Sequence, residues 1–304
     1  MRKINRRLWL TALKIYDRFF KENGKSISRN KLAELLNIDE QTARNIIFAI
    51  ENRDIIKSEP AHFETSNKTV ELLFADLHIP YHDELAVQTM FDYVESEKIN
   101  PNLIVILGDL IDFYQISKFD KDPRRKRVSQ ELSEAREFLT SLRNRFPDAR
   151  ILYLKGNHTA RYEKYIFSNA REIADLVVDL LPQKLGLNEL RIEYLEEPFT
   201  IGKLFHLHGH EKPSGAYNVE YVVNVMWKYI YDHFIVAHFH RTQQKIFKSA
   251  SGKIYIGASI GCLCQLEMDY AKLNNWNHGF AIVRYDDNGN FRIENKQIFN
   301  GEVY

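Results

Sequence analysis

Five short apolar runs in this chain each end in residues able to hold a metal ion, and that recurrence restricts its fold more than any other feature. "TVELLFADLH" ends at Asp76 and His78, "LIVILGDLID" at Asp109 and Asp112, and "ILYLKGNHT" at Asn157 and His158. "FHLHGH" ends at His208 and His210, and "HFIVAHFH" at His238 and His240. One Gly-Asp after a strand is ordinary turn chemistry, and one His-x-His is commonly packing or surface. Five such tips point instead to strands whose ends meet at one crevice, where layered α/β proteins hold ligands.

Helical spacing near 84–97 and 129–145 separates the first three runs, which gives the strand-helix alternation of an α/β layer. The later runs, "FTIGKLFHLH", "HFIVAHFH", "KIYIGAS", "GFAIVRY" and "NFRIENKQIF", have fewer helices between them and imply additional, partly antiparallel strands in the same domain. "NWNHGFAIVRY" reads either as a cap over the site or as a last strand and its turn. His206 shares a strand face with His208 and is expected to be packed or hydrogen-bonded behind the site. Cys262 and Cys264 read as buried thiols, since a Cys-x-Cys pair on one strand is poorly placed to bridge.

The first 66 residues are of another kind. Residues 1–60 hold 13 Lys/Arg against 8 Asp/Glu, a balance of +5 in a chain whose net charge is +1, which leaves −4 for the remainder. Such asymmetry suggests an anionic partner for this segment. Leu8, Trp9, Ala12, Leu13, Tyr16, Phe19 and Phe20 repeat at helical spacing; Ser28 caps a second helix with Leu32, Leu35 and Leu36 on one side; Asp39 caps a third with Ala43, Ile46, Ile47 and Ile50 inward. "KLAELLNIDEQTARNII" resembles a helix-turn-helix, and the extended stretch with Ser66-Asn67 at its tip resembles the wing of a winged-helix domain. That likeness implies that Gln41, Thr42, Arg44 and Asn45, beside Glu40, face DNA. A three-helix bundle used only for protein contact fits the same spacing. The expected domains are therefore 1–66, helical and winged-helix-like, and 67–304.

At 304 residues, with 44% hydrophobic and 27% charged side chains, the chain can bury one large core or two modest ones. No apolar run reaches the roughly 18 residues a membrane helix needs, and Lys14, Asp17 and Arg18 interrupt any signal-peptide core near the start. The expected location is the cytoplasm of a prokaryotic or phage-infected cell.

Taken in order, Asp76-x-His78, Gly108-Asp109-x-x-Asp112, Gly156-Asn157-His158, His208-Gly209-His210 and Ala237-His238-x-His240 resemble the signature of the calcineurin-like metallophosphoesterase superfamily, over roughly residues 69–245. Thr159 and Ala237 depart from it, standing where the family has an acidic residue and a glycine. The resemblance implies an α/β, layered two-sheet sandwich flanked by helices. It implies one divalent ion on Asp76, His78 and His240, a second on Asn157, His208 and His238, and Asp109 bridging them. His158 would face the phosphate, either protonating the leaving oxygen or stabilising charge on the phosphoryl group, and Asp112 would orient a ligand histidine.

Two ions offset by only two carboxylates leave a net positive pocket suited to an anionic ester, and could acidify a shared water. Imidazole and carboxylate donors suit Mn, Fe or Zn better than Mg or Ca; the resemblance favours Mn²⁺. Arg161 and His210 are candidate substrate contacts, and Arg124, Arg125 and Arg127 in the basic loop "KDPRRKR" are candidate contacts to a nucleic-acid backbone. The leading expectation is a phosphodiesterase acting on nucleic acid, DNA in particular. A phosphomonoesterase acting on nucleotides, DNA ends or phosphoproteins, and a non-catalytic DNA-binding regulator, are the alternatives. Association of copies of the chain stays open.

Overall fold

In the computed structural model, residues 12, 15, 16, 18, 19, 21, 27–38, 40, 43, 46, 47, 60–118, 122–174, 180–211, 219–267 and 273–304 are described. The chain divides into two units, Met1–Glu59 and Pro60–Tyr304. In the first, helix α1 (Arg29–Leu36) begins where the Ser28 hydroxyl accepts the Lys31 N–H and ends at Asn37 in a left-handed conformation, φ 50°. Leu32 and Ala33 bury against Ala12, Tyr16, Ile27, Ala43 and Ile46, whereas Leu35, expected on the inner face, is half exposed. Gln41, Thr42, Arg44 and Asn45 lie outside the described residues.

The second unit runs β1 (Ala61–Phe63), β2 (Val70–Phe74), α2 (Glu84–Ser96), β3 (Leu103–Ile106), α3 (Val128–Arg145), β4 (Arg150–Leu154), α4 (Asn157–Asn169), α5 (Leu180–Lys184), β5 (Ile192–Leu195), β6 (Phe199–Ile201) and β7 (Leu204–Leu207). It continues with α6 (Val222–Ile230), β8 (Phe234–Val236), β9 (Gln243–Lys248), β10 (Ile254–Ser259), β11 (His278–Tyr285), β12 (Phe291–Phe299) and β13 (Glu302–Val303). One sheet has the order β13-β12-β11-β2-β3-β4-β5, and the other β1-β6-β7-β8-β10-β9. β2 to β5 are parallel, joined through helices, and β11 runs antiparallel to β2.

Strict alternation assigns the layers, because neighbouring side chains on a strand face opposite ways. Leu72, Phe74, Ile104, Ile106, Ile151 and Tyr153 pack outward on Met90 and Val94 of α2 and Ala135, Leu139 and Leu142 of α3. Leu73, Val105, Leu107, Leu152 and Leu154 face the other way, onto Phe199, Ile201, Leu204, Ile235 and Ala258 of the second sheet. On that sheet's far side Leu207, Phe234 and Val236 bury Val222, Val223 and Met226 of α6. The result is the expected two-sheet sandwich with helices outside.

Two expectations are corrected. Ala61–Phe63 is not a wing: it pairs with Phe199–Ile201 inside the second unit, with Phe63 edge-on to Phe199 at 5.6 Å, so the boundary falls after Glu59 and not at 66. "GFAIVRY" is not the last strand: β11 is an inner strand held by β2 and β12, with β12 and β13 following it in the chain. Among the described residues no helix is long and apolar enough to cross a membrane.

The space between the sheets is not wholly apolar. Glu71 of β2, His206 of β7 and Tyr285 of β11 meet there, with Glu71 accepting the Tyr285 hydroxyl at 2.6 Å and lying 3.0 Å from His206 Nε2. This is the role behind the site expected for His206. Replacing Glu71 with alanine strands two buried polar groups, and is expected to cost about 3–5 kcal/mol in denaturant unfolding, whereas Glu71→Gln, which keeps an acceptor, should cost clearly less.

Candidate metal centre

All seven side chains expected as metal ligands come from the ends of strands of the two sheets. Asp76 and His78 follow β2, Asp109 follows β3, and Asn157 opens α4 after β4; His208 follows β7, and His238 and His240 follow β8. Two glycines permit the approach. A β-carbon on Gly108 would overlap the His208 ring, and one on Gly156 would overlap the Asp109 carboxylate. Ala237, where the resemblance has glycine, has no positive φ and its N–H donates to the His208 carbonyl at 3.1 Å, so no glycine is needed there. Thr159 is turned away, its hydroxyl 3.0 Å from that of Tyr153.

Five of the seven adopt left-handed backbone conformations: Asp76 (φ 54°), His78 (50°), Asp109 (43°), His238 (67°) and His240 (56°). Such conformations are uncommon outside glycine and cluster at functional sites. Backbone hydrogen bonds between the tips hold them, including His78 N–H to Asp109 O at 3.0 Å and Leu263 N–H to Asp76 O at 3.2 Å.

Polar atoms converge with too few protein partners. Asp76 Oδ2 accepts the His238 N–H at 2.9 Å, but Oδ1 is buried with no hydrogen-bond partner. It faces Nε2 of His240, His78 and His208 at 3.7, 3.9 and 4.0 Å. Those distances are too long for hydrogen bonds and suit nitrogen and oxygen donors spaced around a cation. Asp109 Oδ1 accepts the His158 N–H at 2.8 Å while Oδ2 lies 3.1 Å from His208 Nε2, and Asn157 Oδ1 lies 3.0 Å from the same nitrogen. Asp109, His208 and His238 form one group with metal-ligand spacing; His78 falls in two others, with Asp109 and His158 and with His240 and Cys264. The donor set fits two divalent ions.

Asp112 stands behind the centre. Its Oδ1 lies 3.1 Å from Nδ1 of both His78 and His158. Burial opposes its ionisation, but those two hydrogen bonds outweigh it and keep the carboxyl well below its usual range. Likewise His208 is fixed by its Nδ1, 2.8 Å from the Leu107 carbonyl. Burial lowers the pKa of His158 against the pull of Asp109. Its Nε2 lies 2.8 Å from the Arg161 guanidinium, which also donates to the Asp112 carbonyl at 2.9 Å. Arg161 thus contacts His158 itself.

The other expected contacts sort differently. His210 packs beside His208, rings 5.4 Å apart, with its Nδ1 buried and without a hydrogen-bond partner. In the basic loop Arg124 is paired with Asp122, Lys126 with Glu134, and Arg125 lies over the Tyr81 ring at 5.6 Å. Arg127 immediately precedes α3, its N–H capped by Gln130. Three neighbours were not among the expected site residues. Glu131 of α3 holds the Tyr114 N–H at 3.2 Å, and burial with Asp112 nearby pushes it up to about 8. Trp276 lies edge-on to His240 at 4.2 Å, which makes the turn of "NWNHGF" part of the wall. Cys264 is the third.

A family model described as calcineurin-like phosphoesterase matches residues 72–259, a span that holds every ligand candidate. Solved structures resemble the chain as well, three of them as follows. Vps29 from Entamoeba histolytica, as a single mutant, is 13% identical and covers 78% of this chain and 96% of its own, with TM-score 0.39. The nuclease MPE from Pseudomonas putida is 14% identical over 70% and 84%, TM-score 0.35. The hypothetical protein PH1004 from Pyrococcus horikoshii is 14% identical over 75% and 87%, TM-score 0.39. No curated protein matches.

Burial works against a charge on His208, but the carboxylates of Asp109 and Asp76 outweigh it and raise the ring to about 10. Below that pH the metal-free ring is protonated and must lose its proton to bind an ion. Divalent-metal affinity of the metal-free protein is therefore expected to rise with pH from neutrality toward 10. About one proton should be released from this ring per centre filled, measurable by calorimetry in buffers of different ionisation enthalpy.

Proposed function

The chain belongs to the calcineurin-like phosphoesterase family, whose members are metal-dependent hydrolases with a two-metal centre, and from that premise we propose that it hydrolyses phosphodiester bonds in nucleic acid, DNA in particular. The observation that carries the catalytic reading is the buried, unpartnered Asp76 Oδ1 facing three imidazole nitrogens. In this reading Asp76, His78 and His240 hold one ion, Asn157, His208 and His238 the other, and Asp109 lies between them. Bound divalent ions, Mn²⁺ in our reading, would supply Lewis acidity toward the phosphoryl oxygens and an acidified water.

What the protein adds is placement and charge. The two ligand carboxylates leave divalent charge uncompensated, so the pocket favours an anion. His158 is held by Asp112 through Nδ1, and its Nε2 accepts a hydrogen bond from the Arg161 guanidinium. A ring accepting at Nε2 has no proton to give there. Both roles open to it, protonating the leaving oxygen and stabilising charge on the phosphoryl group, require Nε2 to exchange this contact for a proton of its own, and the Arg161 guanidinium stands alongside as a fixed positive charge.

The nucleic-acid substrate rests on the +5 balance of residues 1–60 and on the basic loop at 121–127. A phosphomonoesterase is the second reading, favoured by one observation: Arg124 and Lys126 are already ion-paired within that loop and offer less charge to a long phosphate backbone.

End-labelled DNA, a small phosphodiester and a phosphomonoester, each with added Mn²⁺, separate the readings. Asp109→Asn is expected to abolish hydrolysis. His158→Ala should lose about 10²–10⁴-fold in kcat with both ions still bound, as counted by elemental analysis. Turnover of the monoester far above either diester would make the second reading the right one, and full activity in both variants would remove the centre from the reaction.

A further inference from the structure

A histidine that binds a metal through one ring nitrogen keeps its proton on the other, and a good centre gives that proton an acceptor. His78 has the Asp112 carboxylate and His208 has the Leu107 carbonyl. At His240, whose Nε2 is turned toward Asp76 Oδ1, Nδ1 faces the sulfur of Cys264 at 3.8 Å. Among the described residues no carboxylate or carbonyl hydrogen bond to this nitrogen accompanies it.

The sulfur is built into place. Cys264 is fully buried, pairs with His82 in an antiparallel bridge, and its carbonyl lies 2.8 Å from His278 Nε2. The Cys262 thiol lies 3.7 Å from the Asn277 carbonyl and 3.9 Å from that of Cys264, and it also interacts with the His240 ring. On the His240 backbone the carbonyl accepts the Asn277 N–H at 3.0 Å, and Trp276 closes one side of the ring. His78, His240 and Cys264 have potential ligand atoms within 4.8 Å of one another. That an ion belongs nearby is argued independently by the orphaned Asp76 Oδ1.

We propose that Cys264 is a positioning residue of the metal centre, its sulfur accepting the Nδ1 proton of His240 and so holding Nε2 toward the ion shared with Asp76 and His78; this rests on the two-ion reading above. If Nε2 is to give its lone pair to a metal, the neutral ring must carry its proton at Nδ1, and the N–H then points at sulfur. The contact acts on one half of the centre, the half that includes His240.

The test is stepwise binding of Co²⁺ to metal-free full-length protein, followed by calorimetry and by absorption. Cys264→Ala is expected to weaken one of two binding steps by about 10–100-fold and leave the other unchanged. Cys264→Ser, which restores a small acceptor, should recover most of the loss, and the wild type should lack the intense sulfur-to-cobalt charge-transfer band of direct ligation. Equal weakening of both steps, or none, would overturn the role, as would a charge-transfer band in the wild type that Cys264→Ser removes. Fewer than two ions bound by the wild type would overturn the two-ion reading itself, before any variant is compared, and this inference with it.

Discussion

Two carboxylates without solvent, Asp76 and Asp109, set the terms for everything around them. Removing an ionised carboxylate from water is expensive unless charge and hydrogen bonds compensate it, and the nearest compensating groups are imidazoles that themselves dislike being charged when buried. The protein answers with backbone N–H donors from His238 and His158 to one oxygen of each carboxylate. The other oxygen of each is turned to the histidine nitrogens. Holding that arrangement requires five left-handed residues and two glycines with no room for a side chain, conformations that only a well-packed sandwich can enforce.

This explains the division of labour between the sheets. The parallel strands β2, β3 and β4 end at the same level because each rises through a helix and returns in register, so Asp76, Asp109 and Asn157 arrive together. The imidazoles of His208, His238 and His240 come from the opposing sheet, where β7 and β8 are also parallel. Glu71, His206 and Tyr285 join the sheets several residues behind these tips, a polar contact in an otherwise apolar layer.

Much of this was legible in the sequence because it depends on residue type at a strand end. Asp76-x-His78 or His238-x-His240 marks both a donor pair and the point where an apolar run stops, and the short apolar runs separated by helical spacing give the layered class. What could not be read depends on which tips face each other. Cys264 looked like filler, because its nearness to His240 arises only when the 262–264 loop crosses back over the site. Glu131 belongs to no motif, and only the packing of α3 on the turn after Asp112 buries it. The basic loop misled in the other direction: its charges count fully in a sequence, but Asp122 and Glu134 neutralise two of them. The wing failed for a related reason. An extended segment looks the same whether its partner strand lies next to it or, as for Ala61–Phe63, 138 residues later at Phe199–Ile201.

Because the ligand candidates come from both sheets, any ion held among them is also a cross-link across the sandwich. Ligand binding to the folded state alone adds RT ln(1 + [L]/Kd) to stability, so the cohesion of this unit is coupled to the free concentration of divalent ions. A chelator would then act on it as a mild denaturant. Mutations at the sheet interface, far from the chemistry, could be tolerated where ions are plentiful and exposed where they are scarce.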